Sequence, residues 1–223
     1  METMRIRGAS VALPGLDPDE LVPVQTLRPD DGRLSLFSHG GAELRALELT
    51  RTQLFDGRIS DVSAERVGLD HLRMSSVEIA GCDLASMTLS NSRLSRVRFT
   101  NCRLLGARFE DLVLDNVVFE RCKIDYATLS GVIAKGPVLF VGCSLAETEI
   151  AGCDLSGAAF EDCILRATSF LPGGYAGTDL RGNDLSAIVG AVNLKRIVID
   201  RHQLTDLAVV VADELGITVA DGV

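Results

Sequence analysis

The chain has 223 residues, which fits one domain with small appendages, and 47% of them are hydrophobic, which is enough for a sizeable core. A net charge of −9 disfavours direct binding to nucleic-acid phosphates. No segment approaches the roughly 18 apolar residues of a membrane span, and the N-terminal residues lack the apolar centre of a signal peptide, so we expect a cytoplasmic protein.

Residues 1–43 are the first predicted region. They show no repeat and contain Pro14, Pro18, Pro23 and Pro29. The end of a β-sheet has unpaired N–H and C=O groups and has to be covered. We therefore predict that residues 1–43 form an irregular or short-stranded cap on the first turn of the region that follows.

Residues 44–199 are the second region, in which a large apolar residue recurs at every fifth position. The series slips by one residue after Leu129 and resumes at Phe140, and six of the eight Phe fall on it. Its members are Leu44, Leu49, Leu54, Ile59, Ala64, Leu69, Met74, Ile79, Leu84, Leu89, Leu94, Phe99, Leu104, Phe109, Leu114, Phe119, Ile124, Leu129, Phe140, Leu145, Ile150, Leu155, Phe160, Leu165, Phe170, Tyr175, Leu180 and Leu185. Chance does not plausibly produce such a series.

The residue two places before each central one is usually small or β-branched, as at Val77, Cys82 and Ala107. A period of five matches neither the helix period of 3.6 nor the strand period of two. It suits a chain that turns a corner every five residues, with the central and the small residue pointing inward. Four sides close a coil of about twenty residues, and successive coils pair at a spacing of about 4.8 Å. The pattern predicts an all-β solenoid.

The sequence resembles the pentapeptide-repeat family, whose consensus is a small residue, Asp or Asn, Leu and two variable positions. The segments Cys82-Asp83-Leu84, Cys153-Asp154-Leu155 and Asn183-Asp184-Leu185 fit it closely. The resemblance covers roughly residues 44–190 and implies a right-handed, four-sided β-helix of about seven coils, a rod of about 34 Å. It is specific for the fold and only weakly specific for function.

Residues one coil apart are expected to stack in columns. Ile79, Phe99, Phe119, Phe140 and Phe160 form one column, which predicts a ladder of stacked rings. The slip falls at residues 135–137, Lys-Gly-Pro, which we interpret as a bulged corner, with a functional loop as the alternative.

All six Cys take the small inward position. Cys82, Cys102, Cys122, Cys143 and Cys163 share one column, and Cys153 lies half a coil away. Stacked thiols have parallel Cβ vectors, whereas a disulfide or a tetrahedral zinc site needs converging ones. We interpret the cysteines as buried hydrophobes in a reducing compartment rather than as metal or redox groups.

Residues 200–223 are the third region. Asp200 and Gln203 have capping-box spacing, an apolar helical pattern follows, and Gly216 is a stop signal. We predict a helix and then a short strand at residues 217–219. The fluoroquinolone-resistance members of the family end in a similar element, which implies a homodimer; a monomeric cap is the alternative. The candidate dimerisation residues are Leu204, Leu207, Ala208, Val210, Val211 and Leu215.

No catalytic, phosphate-binding or dinucleotide-binding motif occurs, and His39, His71 and His202 lack partners at metal-ligand spacing. We therefore predict a non-enzymatic protein without cofactor or metal.

Charge is the remaining functional signal. A basic belt surrounds one middle coil and consists of Arg93, Arg96, Arg98, Arg103 and Arg108. Residues 141–223 hold 12 acids and 5 bases. The candidate acidic partner surface consists of Glu147, Glu149, Asp154, Glu161, Asp162, Asp179 and Asp184.

Two hypotheses follow. The first is a scaffold whose rigid sides bind a protein partner. The second comes from the family resemblance, since some members imitate DNA and bind DNA gyrase. About 34 Å of B-DNA carries roughly 20 charges, whereas residues 44–199 have a net charge of only −2, which disfavours a uniform DNA mimic. Reversing Glu147, Glu149, Glu161 and Asp162 should abolish gyrase binding under the second hypothesis only.

Overall fold

The computed structural model describes residues 2–220. Its strands, in chain order, are β1 (Thr3–Ile6), β2 (Ala9–Ala12), β3 (Val22–Pro23), β4 (Arg33–Gly40), β5 (Glu43–Leu44), β6 (Leu47–Thr50), β7 (Gln53–Ser60), β8 (Ser63–Ala64), β9 (Val67–Asp70), β10 (Arg73–Ala80), β11 (Thr88–Ser90), β12 (Arg93–Thr100), β13 (Arg108–Glu110), β14 (Val113–Glu120), β15 (Thr128–Ser130), β16 (Ile133–Ala134), β17 (Val138–Val141), β18 (Glu149–Ala151), β19 (Ala159–Glu161) and β20 (Ser169–Phe170). Short 3₁₀ turns span Pro18–Glu20, Ala191–Asn193 and Arg201–Gln203, and the helix α1 spans Leu204–Glu214.

The strands after β2 wind into a β-solenoid of about seven turns, as predicted. Parallel neighbours are one coil apart, so that Arg73 pairs with Arg93 and Arg93 with Val113. The coil of residues 73–90 defines the four sides: side one is 73–75, side two 77–80, side three 82–85 and side four 87–90. Long strands such as β10 and β12 cover sides one and two, with a corner residue between them.

Corners depend on left-handed backbone conformations. Ser86 has φ +58°, and the N–H of Met87 donates to the carbonyl oxygen of Leu84 at 3.2 Å. This is the arrangement of a type II turn, whose third residue needs a positive φ. Short polar residues and Gly tolerate this conformation best, which explains why Asn91, Asp111 and Gly131 follow one another at one corner.

The predicted inward positions form one continuous core. Every central residue of the five-residue series is buried except Leu44, which is half-buried. The rings of Phe99, Phe119, Phe140 and Phe160 stack at centroid distances of 4.8, 5.0 and 4.7 Å, with interplanar angles of 6–7°. The predicted ladder of stacked rings is therefore confirmed, and the distance between its rings matches the spacing between successive coils.

The one-residue slip of the five-residue series between Leu129 and Phe140 is a local insertion of one residue in the coil. Leu114 pairs with Ala134 and Val117 with Val138, so that three steps on β14 match four on the next coil. The N–H groups of Lys135 and Gly136 both approach the carbonyl oxygen of Leu114, at 2.8 and 3.4 Å. This is the bulged corner that the sequence predicted. The inward register is restored by residue 140, as the stacking of the Phe140 ring on the Phe119 ring shows.

All six cysteines are buried and unpaired. Each thiol donates to a main-chain carbonyl group, as Cys102 does to Ile79 at 3.4 Å and Cys163 to Phe140 at 3.3 Å. Burial raises the pKa of the Cys163 thiol to about 12. A thiol with this pKa stays protonated at neutral pH and is a poor nucleophile, which agrees with the interpretation of the cysteines as packing residues.

The N-terminal region differs from the prediction. The solenoid begins with β4 at Arg33, well before residue 44, because residues 33–40 pair with β7 along their whole length. Val22–Pro23 pairs with β4 and Leu27 is buried in the core, so a cap on the first coil exists but is shorter than predicted. Pro23 suits the edge position, since it has no N–H to leave unpaired.

Residues 3–12 lie elsewhere, as an antiparallel hairpin on the outside of the solenoid. Val11 and Leu13 pack against Val118, Leu139 and Ala159, the outward residues of side two in three successive coils. These residues are apolar where the repeat calls for polar ones, and the hairpin removes them from water.

The C-terminal helix is confirmed. The side chain of Gln203 accepts from the N–H of Asp200 at 2.6 Å and donates to the carbonyl groups of Leu180 and Asn183. Gly216 ends the helix with φ +65°, and the N–H of Ile217 reaches the carbonyl oxygen of Ala212, as in a Schellman motif. The strand predicted at residues 217–219 is absent, since these residues are exposed and pair with no strand within residues 2–220. None of the helices within residues 2–220 has the length and apolarity to cross a membrane.

Candidate interaction surfaces

The candidate acidic residues are spread over all four sides of the solenoid. Asp154 bridges to Ile133 on side one, and Glu161 lies on side two in β19. Asp184 lies beside Ile164 on side three, and Glu149 pairs with Thr128 on side four. The acidic C-terminal third is thus a band around the rod, and these residues do not form one face.

Three of these acids have an arginine partner. Glu161 contacts Arg7 at 2.8 Å, and Asp179 contacts Arg181 at 2.5 Å and Arg7 at 3.8 Å. Glu147 lies 3.7 Å from Arg166, in a more exposed pair. The hairpin therefore brings a positive charge onto the acidic band and neutralises part of side two.

The other four acids are exposed and make no ion pair within residues 2–220. Asp154 and Asp184 accept from the N–H groups of Ser156 and Ser186, and hydrogen bonds from these serines lower the pKa of both carboxyl groups. They stay ionised at neutral pH. The side chains of Asp162 and Glu149 have no hydrogen-bond partner in that part of the chain.

The basic belt is divided among different partners. Arg98 contacts Glu120 at 2.5 Å and Glu78 at 3.8 Å, and Arg103 contacts Asp83 at 3.0 Å. Arg96 donates to the hydroxyl groups of Ser75 and Ser76. Arg93 and Arg108 make no ion pair among the described residues. Two of the five belt arginines thus form ion pairs within the solenoid, and a third is held by serine hydroxyl groups.

The candidate dimerisation residues fall into two groups. Leu207, Val210 and Val211 pack against the last coil, and the carboxylate of Glu214 accepts from three N–H groups at residues 190–192. Leu204, Ala208 and Leu215 face solvent. The inner residues hold the helix on its own solenoid, and the outer ones leave apolar surface exposed.

Two family models match the chain. A pentapeptide repeat region matches residues 65–129, and pentapeptide repeats in eight copies match residues 138–169. Both segments lie within the coils described above. Residues 65–129 and 138–169 are built from pentapeptide repeats. The gap between the two matched segments contains the bulged corner, where the extra residue interrupts the repeat.

Solved pentapeptide-repeat structures are similar at low identity. A trypsin-treated variant of QnrB1, a plasmid-mediated fluoroquinolone resistance protein, is 15% identical, with 82% of this chain and 100% of that chain covered and a TM-score of 0.47. HetL, which is involved in heterocyst differentiation regulation in the cyanobacterium Nostoc sp. strain PCC 7120, is 15% identical, with 74% and 86% covered and a TM-score of 0.19. No curated protein matches the chain.

The hairpin is the feature of this pentapeptide-repeat solenoid that sequence reasoning missed. Arg7 also donates to the carbonyl oxygen of Arg181, and the N–H of Ala12 donates to the side chain of Asn116 at 2.8 Å. The signal that could have revealed it is the run of apolar residues Val118, Leu139 and Ala159 in an outward column.

The three histidines occupy unrelated positions. His39 is buried and its Nδ1 lies 3.0 Å from the carbonyl oxygen of Val24, His71 contacts Asp70 at 2.7 Å, and His202 is exposed. Within residues 2–220, no group of three or more His, Cys, Asp or Glu residues could hold a metal ion.

Proposed function

We propose that this chain is a non-enzymatic cytoplasmic interaction protein, which dimerises through its C-terminal end and presents the sides of two rigid solenoids to a protein partner. The observation that supports this proposal is the exposed apolar surface of the last coil, of α1 and of the residues that follow α1. Its large exposed hydrophobic residues are Val189, Val192, Val198, Leu204, Val209, Leu215, Ile217 and Val219.

An apolar patch at the end of a soluble rod supports an interface. A second copy is the occupant that the patch fits best, because a two-fold axis places the same apolar surface on both sides. Residues 217–220 follow the helix as exposed chain, and apart from the N–H of Ile217 their main-chain groups make no hydrogen bond to the rest of residues 2–220. If these residues paired with the same residues of the second copy, they would form the strand that the single chain does not form.

The oligomeric state tests the proposal. The wild type should sediment as a particle of two chains. Val209→Asp should shift the equilibrium to the monomer by at least about tenfold, because a charge placed in an apolar interface is costly to desolvate. Val22→Asp makes the same substitution at a similarly exposed valine at the other end of the rod and serves as the control. A wild type that sediments as a monomer at micromolar concentration contradicts dimerisation.

DNA gyrase is a second candidate partner, favoured by the exposed and ionised carboxylates of the C-terminal third. Residues 141–223 have a net charge of −7, so a dimer joined at this end would concentrate about −14 at its centre. A narrow rod that carries this charge on all sides would compete with a DNA segment for binding to gyrase. Competition of this kind weakens with salt.

Supercoiling by purified gyrase, with and without a quinolone, tests this candidate. The wild type should inhibit supercoiling or protect against quinolone-induced cleavage. The double variant Glu149→Lys/Asp162→Lys should lose the effect, since both carboxylates are unpaired and exposed in the described chain. Glu43→Lys/Glu65→Lys makes the same charge change near the other end and should keep it. No effect of the wild type at large molar excess rejects gyrase as the partner.

A further inference from the structure

An open groove follows the corner between sides four and one in the first half of the rod. It has a volume of about 620 Å³ and crosses several coils. Its charged and polar walls come from two adjacent columns of the repeat: Arg51, His71, Asn91 and Asp111 at the corner, and Arg73 and Arg93 at the start of side one.

The three arginines of this groove lack internal partners. Within residues 2–220, no carboxylate lies within ion-pair distance of Arg51, Arg73 or Arg93, and their side chains make no hydrogen bond. Arg73 and Arg93 are direct neighbours in the parallel register of β10 and β12. Like charges in such a position repel each other and destabilise a sheet.

Other arginines of the same solenoid show the contrasting arrangement. In the next column, Arg58, Glu78 and Arg98 alternate in sign, and Arg58 contacts Glu78 at 2.8 Å. The repeat can therefore alternate charges from coil to coil, and it does so on side two. The groove arginines instead leave an excess of positive charge open to solvent.

The corner wall beside these arginines is held by a hydrogen-bond network. The carboxylate of Asp70 accepts from Ser90 at 2.8 Å and from Asn91 at 2.9 Å, and it contacts His71 at 2.7 Å. Hydrogen bonds from Asn91, His71 and Ser90 keep the pKa of Asp70 well below its usual range. The Asp70 carboxylate thus holds the side chains of His71, Ser90 and Asn91 in place and is not free to neutralise the arginines.

The chemistry of the groove fits carboxylates on an extended chain. Guanidinium groups bind carboxylates in a bidentate geometry. The arginines span three coils, or about 10 Å, and an extended peptide places same-face side chains about 6.6 Å apart. Two acidic side chains can therefore reach the three arginines. Asp111 adds a negative charge at one end and limits how far an acidic chain can extend.

We propose that the groove of Arg51, Arg73 and Arg93 binds an extended acidic segment of a protein partner, rich in Asp or Glu. Asp111 at one end of the groove suits a short run of carboxylates and disfavours the uninterrupted row of phosphates in a nucleic acid. The inference deepens the proposed role as an interaction protein, since it names a surface and a class of partner. It is independent of the dimer face and of gyrase.

Fluorescence anisotropy with a labelled oligoglutamate peptide tests the groove on the full-length protein. The peptide should bind, and binding should weaken as salt increases. Arg73→Gln/Arg93→Gln should weaken it by about tenfold or more, because each charge-assisted contact is worth a factor of this order. Both positions are exposed, so the variant should retain the unfolding midpoint of the wild type.

Arg45→Gln/Arg66→Gln is the matched control, since both residues are exposed, unpaired among the described residues and outside the groove. It should leave the affinity within about twofold of the wild type, as expected for rim charges. Absence of oligoglutamate binding overturns the proposal, as does an equal loss in the control. Equal binding of an oligoglutamine peptide, or tighter binding of a single-stranded oligonucleotide, also overturns it. None of these outcomes depends on dimerisation or on gyrase, so failure here leaves the proposed function to its own tests.

Discussion

Phe119→Asp is expected to abolish folding of the solenoid. Phe119 is 4% exposed and lies between Phe99 and Phe140, with ring centroids at 4.8 and 5.0 Å. It also meets the edge of Phe109 at 6.0 Å. A carboxylate at this position would lose the stacking contacts and would be buried among the apolar side chains of the core.

The expected cost is several kcal/mol for the buried charge and about 3–5 kcal/mol for the lost ring. The total stability of a domain is about 5–15 kcal/mol, so the variant should be unfolded or marginal. Because each coil is paired with the next, a defect in the middle of the ladder affects both neighbours. Circular dichroism and urea unfolding measure the result.

Tyr126→Asp is the control for this substitution. Tyr126 is 61% exposed at a corner with φ +59°, a conformation that Asp tolerates. Its replacement should change the free energy of unfolding by less than about 1 kcal/mol. A Phe119→Asp variant that unfolds as cooperatively and as late as Tyr126→Asp would show that residue 119 does not point inward.

Val11→Asp is expected to detach the N-terminal hairpin while the coils stay folded. Val11 is fully buried in the small cluster formed with Leu13, Val118, Leu139 and Ala159. This cluster is separate from the main core, so its loss removes no inward side chain of the repeat. A buried unpaired carboxylate costs several kcal/mol, which exceeds what a two-stranded hairpin can supply by itself.

Limited trypsin digestion reports on the detached state, because Arg5 and Arg7 lie within the hairpin. Cleavage there should accelerate by at least about tenfold, the factor that corresponds to 1.4 kcal/mol. Circular dichroism should keep the solenoid signal. The exposed Val118 and Leu139 should also increase self-association.

Ser10→Asp tests whether the effect comes from burial. Ser10 is exposed on the same strand, so the same charge there should leave the digestion rate unchanged. A Val11→Asp variant with wild-type digestion kinetics would mean that the hairpin is held by Arg7 and the main-chain contacts alone.

The sequence by itself determined the interior of this protein. The five-residue period fixed which residues point inward from Leu49 to Leu185, the column of stacked Phe rings and the column of thiols. It also located the bulged corner and the helix after Asp200. These features are predictable because a side chain that turns inward has no other place to go in a narrow coil, so the local pattern specifies them without knowledge of distant contacts.

The tertiary structure decided what happens on the outside. The hairpin of residues 3–12 lies on coils more than one hundred residues later in the chain, and its position neutralises Glu161 and Asp179. The coil register divided the arginine belt among internal partners and placed Arg51, Arg73 and Arg93 along one groove. Outward side chains have many possible neighbours, and the segments that cover them carry no repeat. Their pairing is set by long-range contacts, for which the period of five holds no information.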